Sequence, residues 1–171
     1  LKLKTPTLKL PLMLKNAGYS TGFVGKWAID SNNLSDDQLK MFIDSNNLTD
    51  PKSTGFDYSQ KSVRNSPELL NEKALEFIEK NKEKPFFLFY AMTDLHANLK
   101  EVKSASAFTD KDWTDAEKSF ATMVHDLDQN VGKLIDHLKA LKLEQDTLVI
   151  FSSDSGPMKA AGHEIEFFNS N

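Results

Sequence analysis

The chain has 171 residues, 39% of them hydrophobic, with 21 basic and 25 acidic residues and a formal net charge of -4. That is enough for one compact core and too little positive charge for a nucleic-acid binder, and no apolar run approaches the roughly 20 residues of a membrane span. Cysteine is absent, which excludes disulfides, zinc-thiolate sites and thiol nucleophiles. No signal peptide is visible, but the chain begins at Leu1 instead of Met, so an upstream targeting segment stays open.

Residues 1–9 are lysine-rich and unpatterned, after which Leu10, Met13, Leu14 and Ala17 fall at helical spacing. Pro11 suits the first turn of this short helix and Gly18 its exit. Tyr19 to Val24 reads as a strand, with Gly25-Lys26-Trp27 at its carboxyl end. Lys26 is either a cation beside a site or a lysine laid along the surface. Ile29-Asp-Ser-Asn-Asn-Leu-Ser-Asp36 recurs as Ile43-Asp-Ser-Asn-Asn-Leu-Thr-Asp50. A calcium loop counted from Asp30 would put Leu34 at an oxygen-ligand position and Met41 at the bidentate glutamate, so the EF-hand reading fails. Ser35 with Gln38 instead predicts a capping box on a short helix, and Asn33 and Asn47 begin glycosylation sequons.

Gly55-Phe56-Asp57-Tyr58 predicts a brief extended segment. Ser66-Pro67-Glu68 opens a helix with a cap, a first-turn proline and a dipole-complementing acid; Leu70, Ala74, Phe77 and Ile78 form its apolar stripe and Pro85 stops it. Phe86 to Met92 is a continuous apolar run ending in Thr93-Asp94-Leu95-His96, where a lone histidine is structural or catalytic. A long loop from Ala97 to Trp113 follows. The longest helix carries Phe120, Met123, Val124, Leu127, Val131, Leu134, Ile135, Leu138 and Leu141 on one stripe. His125, Asp126, Asp128, His137 and Lys139 lie off it and read as a solvated face in preference to a metal cluster. Finally Leu148 to Phe151, apolar at every position, predicts a parallel strand buried on both faces that delivers Asp154, with Gly156 turning the chain away.

This alternation predicts an α/β layered fold, a mostly parallel sheet flanked by helices. Ligands of open α/β sheets sit at the carboxyl ends of the strands. If the strands are parallel neighbours, Lys26, His96 and Asp154 face one crevice: a cation, an imidazole and a metal-binding carboxylate suited to an anionic ester.

Leu14-Lys-Asn-Ala-Gly-Tyr19, Gly25-Lys-Trp27, Gly55-Phe-Asp-Tyr58, Lys84-Pro-Phe-Phe-Leu88, Leu127-Asp-Gln-Asn-Val-Gly132 and Asp146-Thr-Leu-Val-Ile-Phe-Ser-Ser-Asp154 resemble, in this order, successive landmarks of the sulfatase family. The tail from Gly156 to Asn171 is similar to a bacterial arylsulfatase-A-like subgroup. The resemblance implies an alkaline-phosphatase-like fold, incomplete here, so that residues 1–171 form a partial catalytic domain that expects the rest of that domain as its partner. It implies hydrolysis of sulfate esters, on a small molecule or a glycan, by a formylglycine beside one calcium ion, in a periplasmic or secreted protein. Lys26 would bind sulfate, His96 would contact sulfate or assist the leaving group, and Asp154 would ligate calcium.

The chain departs from this pattern in several places. No Cys/Ser-x-Pro-x-Arg precursor of formylglycine is present, and the paired aspartates that complete the family's calcium site have no counterpart. Ser155 replaces the usual asparagine after the calcium aspartate, as a weaker ligand; Ala28 and Met158 stand where many members carry histidine. The isolated chain is therefore expected to be inactive. Two alternatives stay open: a catalytically inactive relative that at most binds an anion, and a phosphate-ester hydrolase of the same superfamily.

Overall fold

The computed structural model describes residues 9–27, 50–61, 67–96 and 108–153, with His96 described in its backbone alone. The duplicated Asp/Asn segment through Asn47 and Thr49, Ser66, Ala97 to Ala107, Asp154, Ser155 and the tail lie outside the described residues. The chain divides into two compact units, Leu1–Met92 and Thr93–Asn171.

In the first unit, helix α1 spans Leu10–Asn16 with Pro11 in its first turn. It ends in a Schellman motif: the amide of Tyr19 donates to the carbonyl of Leu14 (3.0 Å), that of Gly18 donates to Lys15 (2.9 Å), and Gly18 takes the left-handed φ of 89°. Strand β1 (Ser20–Gly25) follows at once and is the centre of a three-stranded parallel sheet ordered β2-β1-β3, with β2 at Tyr58–Lys61 and β3 at Phe86–Ala91. β2 was only partly legible: Gly55-Phe-Asp-Tyr58 is a left-handed turn and a bend that lead into it, because Pro51–Thr54 first forms a 3-10 turn capped by Asp50.

Register sorts the side chains onto two faces. Gly22, paired with Tyr58 and Leu88, looks toward helix α2 (Pro67–Asn81). A Cβ on Gly22 would sit 2.5 Å from the Phe77 ring, so the missing side chain admits α2 close to the sheet. Phe77 also meets Tyr58 and Phe86, at centroid distances of 5.7 and 6.3 Å. The predicted stripe Leu70, Ala74, Phe77 and Ile78 is buried, joined by Asn71. On the opposite face Phe23, fully buried, meets Trp27 and Phe56 edge-on and stacks on its register partner Phe89, while Phe56 stacks on Phe87.

The second unit is built on helix α3, Asp115–Ala140. Thr114 and Glu117 close a reciprocal capping box at its start. Its end is a second Schellman motif, Leu143 donating to Leu138 and Lys142 to Lys139, both at 2.9 Å, but with Lys142 in the left-handed position at φ 59°. The apolar stripe is only partly buried: Met123 and Leu138 are, Val124 is exposed, and the polar Glu117, Thr122 and Asn130 are buried among them. His125 takes an edge-on contact from Phe108, which stacks on Trp113. No helix among the described residues is long and apolar enough to cross a membrane.

The expected strand at Leu148–Phe151 is corrected. The segment enters from Thr147 in extended conformation (φ -121°, ψ 119°) but belongs to no described strand pairing, and Leu148 and Ile150 are 85% and 80% exposed. An apolar, β-branched run sets a local backbone preference; burial on both faces requires neighbours that local composition cannot supply.

Candidate functional site

β1 runs from the fully buried Thr21 through Phe23 and Val24 and stops at Gly25, whose φ of 120° and lack of a side chain turn the chain out of the sheet. A Cβ on Gly25 would fall 1.9 Å from the carbonyl oxygen of Ala91, the last residue of β3. That same oxygen accepts the amide of Lys26 at 3.1 Å. Lys26 is thereby fixed by its backbone just beyond the carboxyl end of the central strand, with its side chain exposed. This is the edge where a parallel sheet presents ligands.

β3, the parallel neighbour of β1, ends at Ala91, and the chain continues through Met92 and Thr93 into the 3-10 turn Asp94–His96. Asp94 is buried and accepts a 2.7 Å hydrogen bond on Oδ1 from Nδ2 of Asn130 in α3; Lys133, one turn on, donates to Oδ1 of Asn130 at 3.2 Å. Sequence reasoning missed Asp94 and Asn130. Their signal was faint: an acid two residues before the histidine, and an amide inside an otherwise apolar-faced helix.

Of the sequence-predicted site residues, the structure thus places Lys26 at the carboxyl edge of β1 and His96, by its backbone, in the turn after β3. Asp154 and Ser155, the calcium ligands expected from the resemblance, lie just past Ser153, outside the described residues. Among the described residues no three histidine or carboxylate side chains converge as a metal site would require.

A cavity of about 340 Å³ lies at the other end of the strands, where Ser20, Thr21, Asp57, Tyr58, Lys80 and Asn81 line it. It holds a structural junction. Thr21 Oγ1 accepts the amide of Asp57 (3.0 Å) and lies 2.9 and 3.1 Å from the Gly55 carbonyl and Asp57 Oδ2, while Lys15 ion-pairs with Asp57. The hydrogen bond from Lys15 and then those of Thr21 hold the Asp57 carboxyl below its ordinary range.

The sequence model of the Sulfatase family matches residues 2–171. The chain belongs to the sulfatase family. This sulfatase chain is 27% identical over 185 residues to an arylsulfatase of Hemicentrotus pulcherrimus, covering 84% of the chain and 30% of the relative. It is 27% identical over 188 residues to the N-acetylgalactosamine-6-sulfatase of Mus musculus, covering 86% and 32%. To the steryl-sulfatase of Homo sapiens it is 31% identical over 97 residues, covering 56% and 15%. The sulfatase chain therefore spans about a third of the length of the first two relatives. Its parallel sheet and flanking helices are the α/β architecture of an alkaline-phosphatase-like sulfatase fold, present in part.

Proposed function

We propose that this chain forms the sulfate-recognising part of the catalytic domain of a sulfuric ester hydrolase acting on a small-molecule or glycan sulfate ester. One observation carries the reading. Lys26 is held by its amide at the carboxyl edge of a buried central strand, the edge where a parallel sheet presents ligands. A sulfate monoester carries its charge on the oxygens around sulfur, and more charge develops on the bridging oxygen as the S–O bond breaks. The ammonium of Lys26 would neutralise the first, and the imidazole of His96, in the role the resemblance implies, would donate a hydrogen bond or a proton to the second. The relatives' names, an arylsulfatase and an N-acetylgalactosamine-6-sulfatase, support a sulfate ester as the substrate class.

Calcium takes hard oxygen ligands, and the Asp154 carboxylate with the Ser155 hydroxyl are donors of that kind; such an ion would add positive charge beside the sulfate. The residues present hold no formylglycine precursor, so these residues do not themselves supply the nucleophile this reaction would need.

The test compares turnover of p-nitrophenyl sulfate and p-nitrophenyl phosphate by the product of the full reading frame, together with sulfate binding to the chain itself. Hydrolysis of the sulfate ester that falls by at least about 100-fold in Lys26→Ala and His96→Ala is the expected result. Preference for the phosphate ester would replace the reading with a phosphatase. Sulfate binding without turnover of either ester would mark an inactive relative, the outcome in keeping with Ala28, Ser155 and Met158.

A further inference from the structure

Asp94 is 6% exposed, and while Oδ1 accepts from Asn130, Oδ2 has no hydrogen-bond partner among the described residues. The hydroxyl of Thr93, also buried, has none among the described residues either. A buried carboxylate with an unfilled acceptor is costly, and an apolar residue would be the cheaper way to cover a turn. Asn130 is 6% exposed as well, and Lys133 donates to its carbonyl oxygen, which sets the amide with its NH2 group toward Asp94. The three residues form a directed chain of donors, Lys133 to Asn130 to Asp94, from the middle of α3 to the first residue of the turn Asp94–His96.

We propose that Asp94 and Asn130 are positioning residues for His96. The relay ties the turn to α3, a helix whose own start is fixed by the Thr114–Glu117 box, so the placement of the His96 backbone is set by the buried side chains of Asp94 and Asn130. The inference rests on the functional role given to His96 above, and its test separates the two.

The experiment records the ring resonances of His96 in the full chain, assigned with His96→Asn, and the kcat and KM of the full-length product on p-nitrophenyl sulfate. Asn130→Asp sets two carboxylates against each other; Asp94→Asn combined with Asn130→Asp restores one donor and one acceptor with the polarity reversed. The expected result is a shifted or broadened His96 ring signal in Asn130→Asp, kcat lower by about 10-fold or more with KM within about twofold, and recovery of both in the double variant. Lys133→Met, which weakens the relay without adding a charge, gives a smaller change in the same direction and decides the matter if Asn130→Asp does not fold. A wild-type His96 signal and wild-type kcat in Asn130→Asp or Lys133→Met, accompanied only by lost thermal stability, would overturn the inference, as would a double variant that recovers nothing. A relay-dependent His96 signal in a protein that turns over no sulfate ester upholds the positioning and removes the reaction assigned to it.

Discussion

The amide of Lys26 and the would-be Cβ of Gly25 compete for the same atom, the carbonyl oxygen of Ala91, at 3.1 Å for the hydrogen bond and 1.9 Å for the clash. Only glycine lets the central strand end on its neighbour and still release a lysine outward.

Gly25→Ala therefore has to open the β1–β3 junction or abandon its left-handed φ. The expected cost is about 3 kcal/mol in urea denaturation. Sulfate affinity measured by calorimetry falls with it, because the anchor of Lys26 is lost. Lys26→Ala, by contrast, loses the affinity and keeps stability within about 0.5 kcal/mol, as expected of an exposed side chain.

The Thr21–Asp57 junction holds the bend before β2 against the central strand. Thr21→Val keeps the shape and deletes the hydroxyl, leaving the Asp57 amide with the Thr21 carbonyl alone. Chemical denaturation is expected to register a loss of about 1–3 kcal/mol.

The same carboxyl gives the acid limb of the stability profile a sign. The Lys15 partnership lowers Asp57 from its ordinary 3.8, so its contribution is present above that unfolded value and disappears as pH falls through the lower folded one. Lys15→Met should flatten the loss of stability below about pH 4. Both side chains are half exposed, so the difference between the two proteins is small and shrinks further with added salt. Melting temperatures across an acid pH series at two ionic strengths measure it.

Lys142 occupies the left-handed position of a Schellman motif that elsewhere in this chain, at Gly18, belongs to glycine. Lys142→Gly relieves the Cβ contact with the backbone and should stabilise the protein by about 1 kcal/mol, read as a higher melting temperature. An unchanged or lower value would show that the ammonium at the helix end outweighs the strain.

The exposed run Leu148–Phe151 is apolar at every position and carries no charge, the composition that pairs with another strand when none is provided. The isolated chain is expected to self-associate at micromolar concentration in sedimentation velocity. Ile150→Lys should suppress this, with little effect on the melting temperature because the side chain is already in solvent.

Strands and helices with a strong local signal were legible in the sequence, even where, as in α1 and β3, little of them is buried. The Leu70-Ala74-Phe77-Ile78 stripe, the Phe86–Ala91 run and the Pro and Gly punctuation of α1 and α2 all carry their reason in short-range pattern. β2 was harder to read because Tyr58-Ser-Gln-Lys61 has no hydrophobic signature; it is a strand through its pairing with β1, which sequence spacing does not encode. The reverse held for Leu148–Phe151, whose pattern is that of a central strand without the pairing. Lys26 directly after β1 and His96 in the turn after β3 follow the expected strand-then-polar order. Asp94 and Asn130 were not legible, since a hydrogen bond across 36 residues depends on how the turn meets the helix.

At the head of α3, Thr114 and Glu117 satisfy one another's amides, so the helix carries its own starting point. The stretch before Thr114 can gain or lose residues without changing the phase of the turns that follow. Variation is thus confined upstream while Asn130 keeps its rotational setting, so the length of that stretch can change without moving the hydrogen bond that Asn130 makes to Asp94.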